Sequence, residues 1–333
     1  FLNNSINDEI NYGKKIDTKS IKGVPNEARI NIKYEKIFGK FYDGTPYTLL
    51  KPELKIEQTN FGKINTRLHG RVATSIIGIG LIETISNKLI LELADPYDQN
   101  NDGISGRANI IFDPITRKKS IGKFGWKASK SSVEHQVISA LYEDIGITSS
   151  IFPKNRCPRI QINCLLKDNI IEANRSVINA ITFYTSVIAV PARRGIKNIN
   201  VINGKKIFIK IGCANCHLTN IKTGINKNDQ LKFLNKQNIQ PYTDLLLHDM
   251  GDDLAENTNE GLANRNEWRT APLWGLGLIK KVNGKVRLLH DGRARSIEEA
   301  ILWHGGEAKK SRDKYLKIDK HNRGLLLKFL NSL

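Results

Sequence analysis

Two thiols and an imidazole crowd into five consecutive residues, Cys213-Ala-Asn-Cys216-His217, and no other feature restricts the fold of this chain as much. The spacing is C-x-x-C-H, the pattern that attaches c-type haem. On a helix the three side chains stand at i, i+3 and i+4 and project from one face. Both sulfurs then reach the edge of one porphyrin while the imidazole approaches its iron. A bare C-x-x-C also serves as a dithiol redox pair or as half of a zinc site; the adjoining histidine and the lack of a second such pair weaken both readings. The expectation is covalent haem at Cys213, Cys216 and His217, and work in electron transfer or haem-based redox chemistry. Gly204, Ile207 and Phe208 lead into the motif as a helix, and an apolar C-terminal helix is available to cross it, as the first and last helices do in small c-type cytochromes.

A chain of 333 residues suggests two domains, divided at the helix stop and basic stretch Pro191 to Lys197, so that residues 1–192 and 193–333 separate. Residues 1 to about 65 alternate Gly, Pro, Asn and short apolar runs and predict loops and short strands. Asp95 to Gly106 reads as a loop. Helical spacing covers Ser131 to Ile145 and Ile170 to Val190, a further helix begins near Val201, and Asp319 caps an amphipathic C-terminal helix carrying Leu325, Leu326, Phe329, Leu330 and Leu333. The expected class is mainly α, with a cytochrome c-like C-terminal domain and an incomplete, loop-rich N-terminal one.

The formal charge of +19 fits an acidic redox partner, a membrane surface or nucleic acid. The lysines are scattered rather than gathered in a stripe, which argues against nucleic acid. No apolar run is long enough to span a bilayer. The chain opens on Phe1 without a leader pattern, so an export signal is expected to be removed or to lie upstream.

Haem iron takes its sixth ligand from His or Met. Met250 is the one methionine. Ser296 to Glu299 forms a capping box, after which Ile297, Ala300, Ile301 and His304 share a helical face. His304 on that face is a core histidine, a partner of the helix dipole, or an axial ligand.

Three stretches, Pro241 to Gly251, Glu267 to Gly275 and His290 to Glu307, resemble the bacterial di-haem oxidoreductase family, described as peroxidases or thiol oxidoreductases and related to the di-haem cytochrome c peroxidases. The likeness runs in order from about Ile21 to the C-terminus. It implies that His304 occupies the distal-ligand position of the C-terminal haem, with Met250 as runner-up, and that the family's first haem motif lies upstream of Phe1. It also implies that the C-terminal haem accepts electrons and relays them to an N-terminal haem, with Trp126 between the haems and Asp144 as the carboxylate assisting O–O cleavage. For these two, a packed aromatic and a helix-end cap stand as the alternatives. His290 is expected to bond a haem propionate or nearby backbone, and Arg293 or Arg295 to pair with propionates. The implied substrate is peroxide or a thiol, and the donor a small redox protein or a quinol-linked carrier. The competing reading is a non-catalytic electron-transfer cytochrome; a third is a haem protein that oxidises protein side chains.

Asp98, Asn100 and Asp102, with Gly103 at the sixth position, have the alternating oxygens of a calcium loop but lack the acidic twelfth residue. Related peroxidases hold calcium between their haems; the alternative is an Asx-rich surface turn. Cys157 and Cys164, with no adjoining histidine, fit a short-loop disulfide better than haem attachment. The alternative is a pair of buried thiols. Haem attachment of this type and a disulfide together imply a periplasmic or otherwise exported protein.

Overall fold

The computed structural model describes residues 12–13, 15–20, 22–157, 160–165 and 170–333. Ile30, Ile32 and Tyr34 alternate with polar residues, and this period of two builds a long strand rather than loops. β1 (Ala28–Lys40) pairs antiparallel with β2 (Pro46–Thr59), in register from Lys40↔Pro46 to Ala28↔Thr59 with a bulge at Arg29/Ile30. Thr45 N donates to Asp43 Oδ1 at 3.0 Å in the turn, closing an Asx-type loop.

Short helices α1 (Ile79–Glu83) and α2 (Asn87–Leu93) follow, then a small hairpin of β3 (Ile110–Asp113) and β4 (Lys118–Ile121). Ser132 caps α3 (Val133–Ile145), its side chain accepting from His135 N, and α4 (Ile162–Leu165) carries Cys164 of the Cys157–Cys164 disulfide. Asn174 caps α5 (Arg175–Ser186), which starts later and stops earlier than the apolar run suggests. The C-terminal part is built on α6 (Ile199–Lys210) and its crossing partner, with two minimal sheets between: β5 (Ile221–Lys222) with β6 (Asn238–Ile239), and β7 (Leu247–Asp249) with β8 (Glu267–Arg269). α7 (Ile279–Asn283), α8 (Ile297–Leu302), α9 (Lys309–Lys317) and α10 (Lys320–Ser332) complete the chain, α10 capped by Asp319 as its sequence indicates.

The expectation of a mainly α chain is overturned. Helix accounts for 33% and strand for 18%, spread over several small sheets. The physical reason lies in two places: strands of 13 and 14 residues stand where short ones were expected, and between α6 and α8 the chain wraps a cavity in turns, ladders of two and three residues and short helical turns instead of long helices.

α6 and α10 meet at Gly204. A Cβ there would lie 2.1 Å from the Leu325 carbonyl oxygen, so only glycine lets the backbones touch. Around this crossing Phe208, Tyr242, Leu326 and Phe329 form the heart of the largest apolar cluster, which also takes in Phe41 and Leu49 from the hairpin. A second cluster joins Ile82, Ile90 and Val137 to Ile221, Ile239 and Leu246, drawing on both sides of Pro191. No described helix is long and apolar enough to cross a membrane.

Candidate haem-binding site

α6 ends at Lys210, and Gly212, at φ 95°, turns the chain into a single 3-10 turn over Cys213–Asn215. The motif therefore sits on a tight turn after the helix, not within it. His217 N still donates to the Cys213 carbonyl at 3.0 Å, which closes one helical turn and keeps the two thiols and the imidazole together. Cys213 and Cys216 are free thiols, and burial pushes Cys213 up to about 12.

His217 Nδ1 lies 2.8 Å from the Tyr242 carbonyl oxygen and His304 Nδ1 lies 2.6 Å from that of Ala300. A carbonyl accepts only, so each Nδ1 carries the proton and each Nε2 keeps its lone pair. Burial pushes His217 down to about 4, the neighbouring His304 adding to the effect against the Tyr242 carbonyl, and burial lowers His304 too. Both rings are neutral at pH 7, the form that ligates iron.

Both histidines line one cavity of about 950 Å³, together with Cys213, Cys216, Phe208, Met250, Ile301 and Leu330. That volume is of the size expected for a cofactor pocket, and the free thiols, two neutral imidazoles and apolar wall fit a haem. His304 reaches the wall because α8 stops at Leu302: Ser296 Oγ accepts from Glu299 N at 3.1 Å to start the helix, and His304 N donates to Ile301 to close it. The capping box is shifted by one residue, since the Glu299 carboxylate accepts from Arg295 N rather than from Ser296 N.

The same cavity extends to Trp126 and Asp144, so the sequence-derived residues Cys213, Cys216, His217, His304, Trp126, Asp144 and His290 share one space. Trp126 Nε1 donates to the Val72 carbonyl at 2.8 Å, and Lys15 Nζ donates to Asp144 Oδ1 at 2.7 Å. Glu143, beside it, also faces Lys15 at 2.9 Å. His290 stacks on Trp268, the ring centroids 3.7 Å apart, and Lys127 Nζ stands 4.0 Å from the centroid of the same indole. Arg293 is turned away from the cavity lining: it pairs with Asp291 at 2.7 Å, donates to the Asp253 carbonyl at 2.6 Å and lies over Trp303. Arg295 pairs with Glu299.

Asp98, Asn100 and Asp102 lie on an exposed loop apart from this cavity. Their oxygens accept from the loop's own amides: Gly103 N to Asp98, Asp102 N to Asn100 at 2.9 Å, and Ile104 N to Asp102 at 2.8 Å. Cys157 and Cys164 form the disulfide that their spacing suggested.

Sequence reasoning missed two charge networks. In the first, His248 lies between Asp244 Oδ2, 2.8 Å from its Nε2, and Glu307 Oε2, 2.7 Å from its Nδ1, with Cys216 Sγ at 3.8 Å. Burial pulls this imidazole down, but Asp244, Cys216 and Glu307 outweigh it and hold it well above its ordinary value. In the second, Arg71 pairs with Glu256 at 2.6 Å and Glu260 at 2.5 Å. Burial raises Glu260, yet Arg71 overrides it and holds the carboxyl at about 2. The charged residues are visible in the sequence, but pairs such as His248 and Glu307 lie far apart in it and no local pattern links them.

A family model described as "Di-haem oxidoreductase, putative peroxidase" matches residues 14–333. No curated protein matches the chain. Among solved structures, a chain of Kuenenia stuttgartiensis hydrazine synthase pressurized with 20 bar xenon is 16% identical, with a TM-score of 0.31; the match covers 50% of this chain and 58% of that one. A likeness that low bears on neither fold nor activity. With the family match running through the cavity and the cysteine motif to the last residue, the chain belongs to the di-haem oxidoreductase family.

Proposed function

We propose that this chain holds a c-type haem by thioethers at Cys213 and Cys216, between His217 and His304, and works as the electron-accepting part of a peroxidase-like di-haem enzyme. The observation that carries the reading is the matched pair of imidazoles. Each is fixed by a backbone carbonyl at Nδ1, each is neutral, and both line the cavity that the two thiols face. When bound, the haem would supply a one-electron couple, with the lower potential expected of two imidazole ligands than of imidazole and thioether.

The chain's own residues divide the remaining work. Phe208, Ile301 and Leu330 line the cavity and would exclude water from a bound ring. Trp126 lines the same cavity as Asp144, and its indole N–H donates to the Val72 carbonyl, which fixes the ring. Asp144, paired with Lys15 and lining the cavity, would exchange a proton with a peroxide oxygen bound there. Beside Cys213, α9 carries Lys309, Lys310, Arg312, Lys314 and Lys317 against the single acid Asp313, which suits an acidic redox protein as donor. The disulfide and thioether attachment both favour an oxidising, periplasmic compartment.

The test is expression in a host that matures c-type cytochromes, followed by acid-acetone extraction. Haem retained on the polypeptide and lost when both Cys213→Ser and Cys216→Ser are made supports the reading, whereas a haem-free wild-type polypeptide ends it. In the loaded protein His304→Ala should convert a low-spin spectrum to high-spin. Retained haem with no peroxide consumption would leave a cytochrome that only transfers electrons.

A further inference from the structure

Four arginines are buried or nearly so in or near this part of the molecule, and three have carboxylate partners. Arg71 has Glu256 and Glu260, Arg293 has Asp291, and Arg323 has Asp43 at 2.8 Å. Arg269, at the end of β8, is the exception. It is 7% exposed. Its Nε donates to the Gly125 carbonyl at 2.9 Å and Nη1 to the Thr270 carbonyl at 3.1 Å. No carboxylate forms an ion pair with it among the described residues. Asp244 is the acid that acts on it, from a distance, and that carboxylate is already taken by His248 Nε2 and Leu246 N.

A buried lysine in this position has a way out, since it can lose its proton. Lys123, held by the Glu83 and Ile85 carbonyls, is pushed by burial down to about 8. A guanidinium stays charged, and burial brings Arg269 down only to about 10. An isolated buried charge is costly unless an anion joins it, and two carbonyls leave the rest of its five-donor fork unused. Arg269 lines the cavity shared by Cys213, His217 and His304. β8 also pairs with β7, the strand whose His248 touches Cys216, so the guanidinium and the attachment motif are held in one rigid frame.

We infer that Arg269 is the counter-ion of a carboxylate of the haem carried by Cys213 and Cys216, so that a propionate completes its hydrogen bonds and its charge. This rests on the haem reading above. It moves the propionate contact away from Arg293, whose guanidinium Asp291 already neutralises.

The experiment uses the full chain with haem loaded, and covalent haem is verified first on the wild type by acid-acetone extraction. Failure there ends the haem reading itself, not this assignment alone. In loaded Arg269→Gln, the propionate bending band in resonance Raman spectra should shift. The midpoint potential should also fall, because a positive charge that disfavours the ferric state has gone. Arg269→Lys, measured at pH 6 where a buried ammonium beside a propionate keeps its proton, should restore the potential while the band stays shifted, since the charge returns without the fork. An unchanged band and potential in loaded Arg269→Gln overturn the assignment. If Arg269→Gln takes up no haem, an unchanged band in Arg269→Lys overturns it instead. Added acetate provides the last arm: a wild-type potential that moves with acetate, and stops moving in Arg269→Lys, would give the guanidinium to a small free anion and overturn the propionate assignment.

Discussion

The two ends of the cavity solve opposite electrostatic problems. At the cysteine end His217 and His304 are driven neutral by burial and tied to carbonyls, in a wall of Phe208, Ile301 and Leu330. At the other end charges are kept and paired: Lys15 with Glu143 and Asp144, and Arg71 with Glu256 and Glu260. The coordinating imidazoles at one end are neutral, with the His248, Asp244 and Glu307 group kept as a separate network beside Cys216, while at the other end the cavity wall itself carries the paired charges. A single cavity can serve both because the ionised groups neutralise one another locally instead of through the solvent.

That contrast can be broken from either side. Asp144→Asn should lower peroxide consumption by about 10²- to 10⁴-fold, the usual weight of a general acid-base group, while leaving the Soret spectrum of the cysteine-bound haem unchanged. A parallel spectral change would show the two ends to be one site. Arg71→Met should cost about 3–5 kcal/mol in chemical denaturation, because it leaves two buried carboxylates without their cation. A loss below 1 kcal/mol would mean that solvent reaches them. Gly204→Ala attacks the apolar end, where a Cβ would press on the Leu325 carbonyl; the expected loss is about 1–3 kcal/mol, read as a fall in Tm. The smallest effect concerns acid. The Glu260 carboxyl is lowered from 4.5 to about 2, so the stability it contributes is full above 4.5 and drains away as the pH falls towards 2. Glu260→Gln should flatten the stability curve in that window, and an unaltered slope would assign the acid sensitivity to other groups.

How much of this was legible in the sequence follows from the distance over which each signal acts. Ser296 and Asp319 were readable as helix starts because a cap bonds an amide three residues away. The disulfide and the cysteine motif were readable for the same reason. The hairpin was also readable, in the alternation of Ile30, Ile32 and Tyr34 and in the Asp43-Gly44 turn, but the surrounding glycines and asparagines outweighed that signal. His304, expected on the apolar face of the helix begun at Ser296, lies two residues past the end of α8, and its decisive property, a carbonyl at Nδ1, depends on where that helix ends. The His248 and Arg269 environments were beyond reach, since they join β7, β8, Gly125 and Glu307 and appear only once those segments meet.

The hairpin described first is fastened at both ends and bare in the middle. Ala28 packs with Phe61, Ile64 and Leu68 at its base. At its tip Phe41 joins the main apolar cluster, Arg323 pairs with Asp43 and lies 3.9 Å from the Phe41 ring centroid, and Tyr42 N donates to the Leu316 carbonyl. Between these anchors Ile32, Lys33, Tyr34, Glu35 and Lys36 are all exposed. A protease that clips this ribbon at Lys33 or Lys36 would therefore yield two polypeptides that migrate apart under denaturing conditions yet travel together on a sizing column.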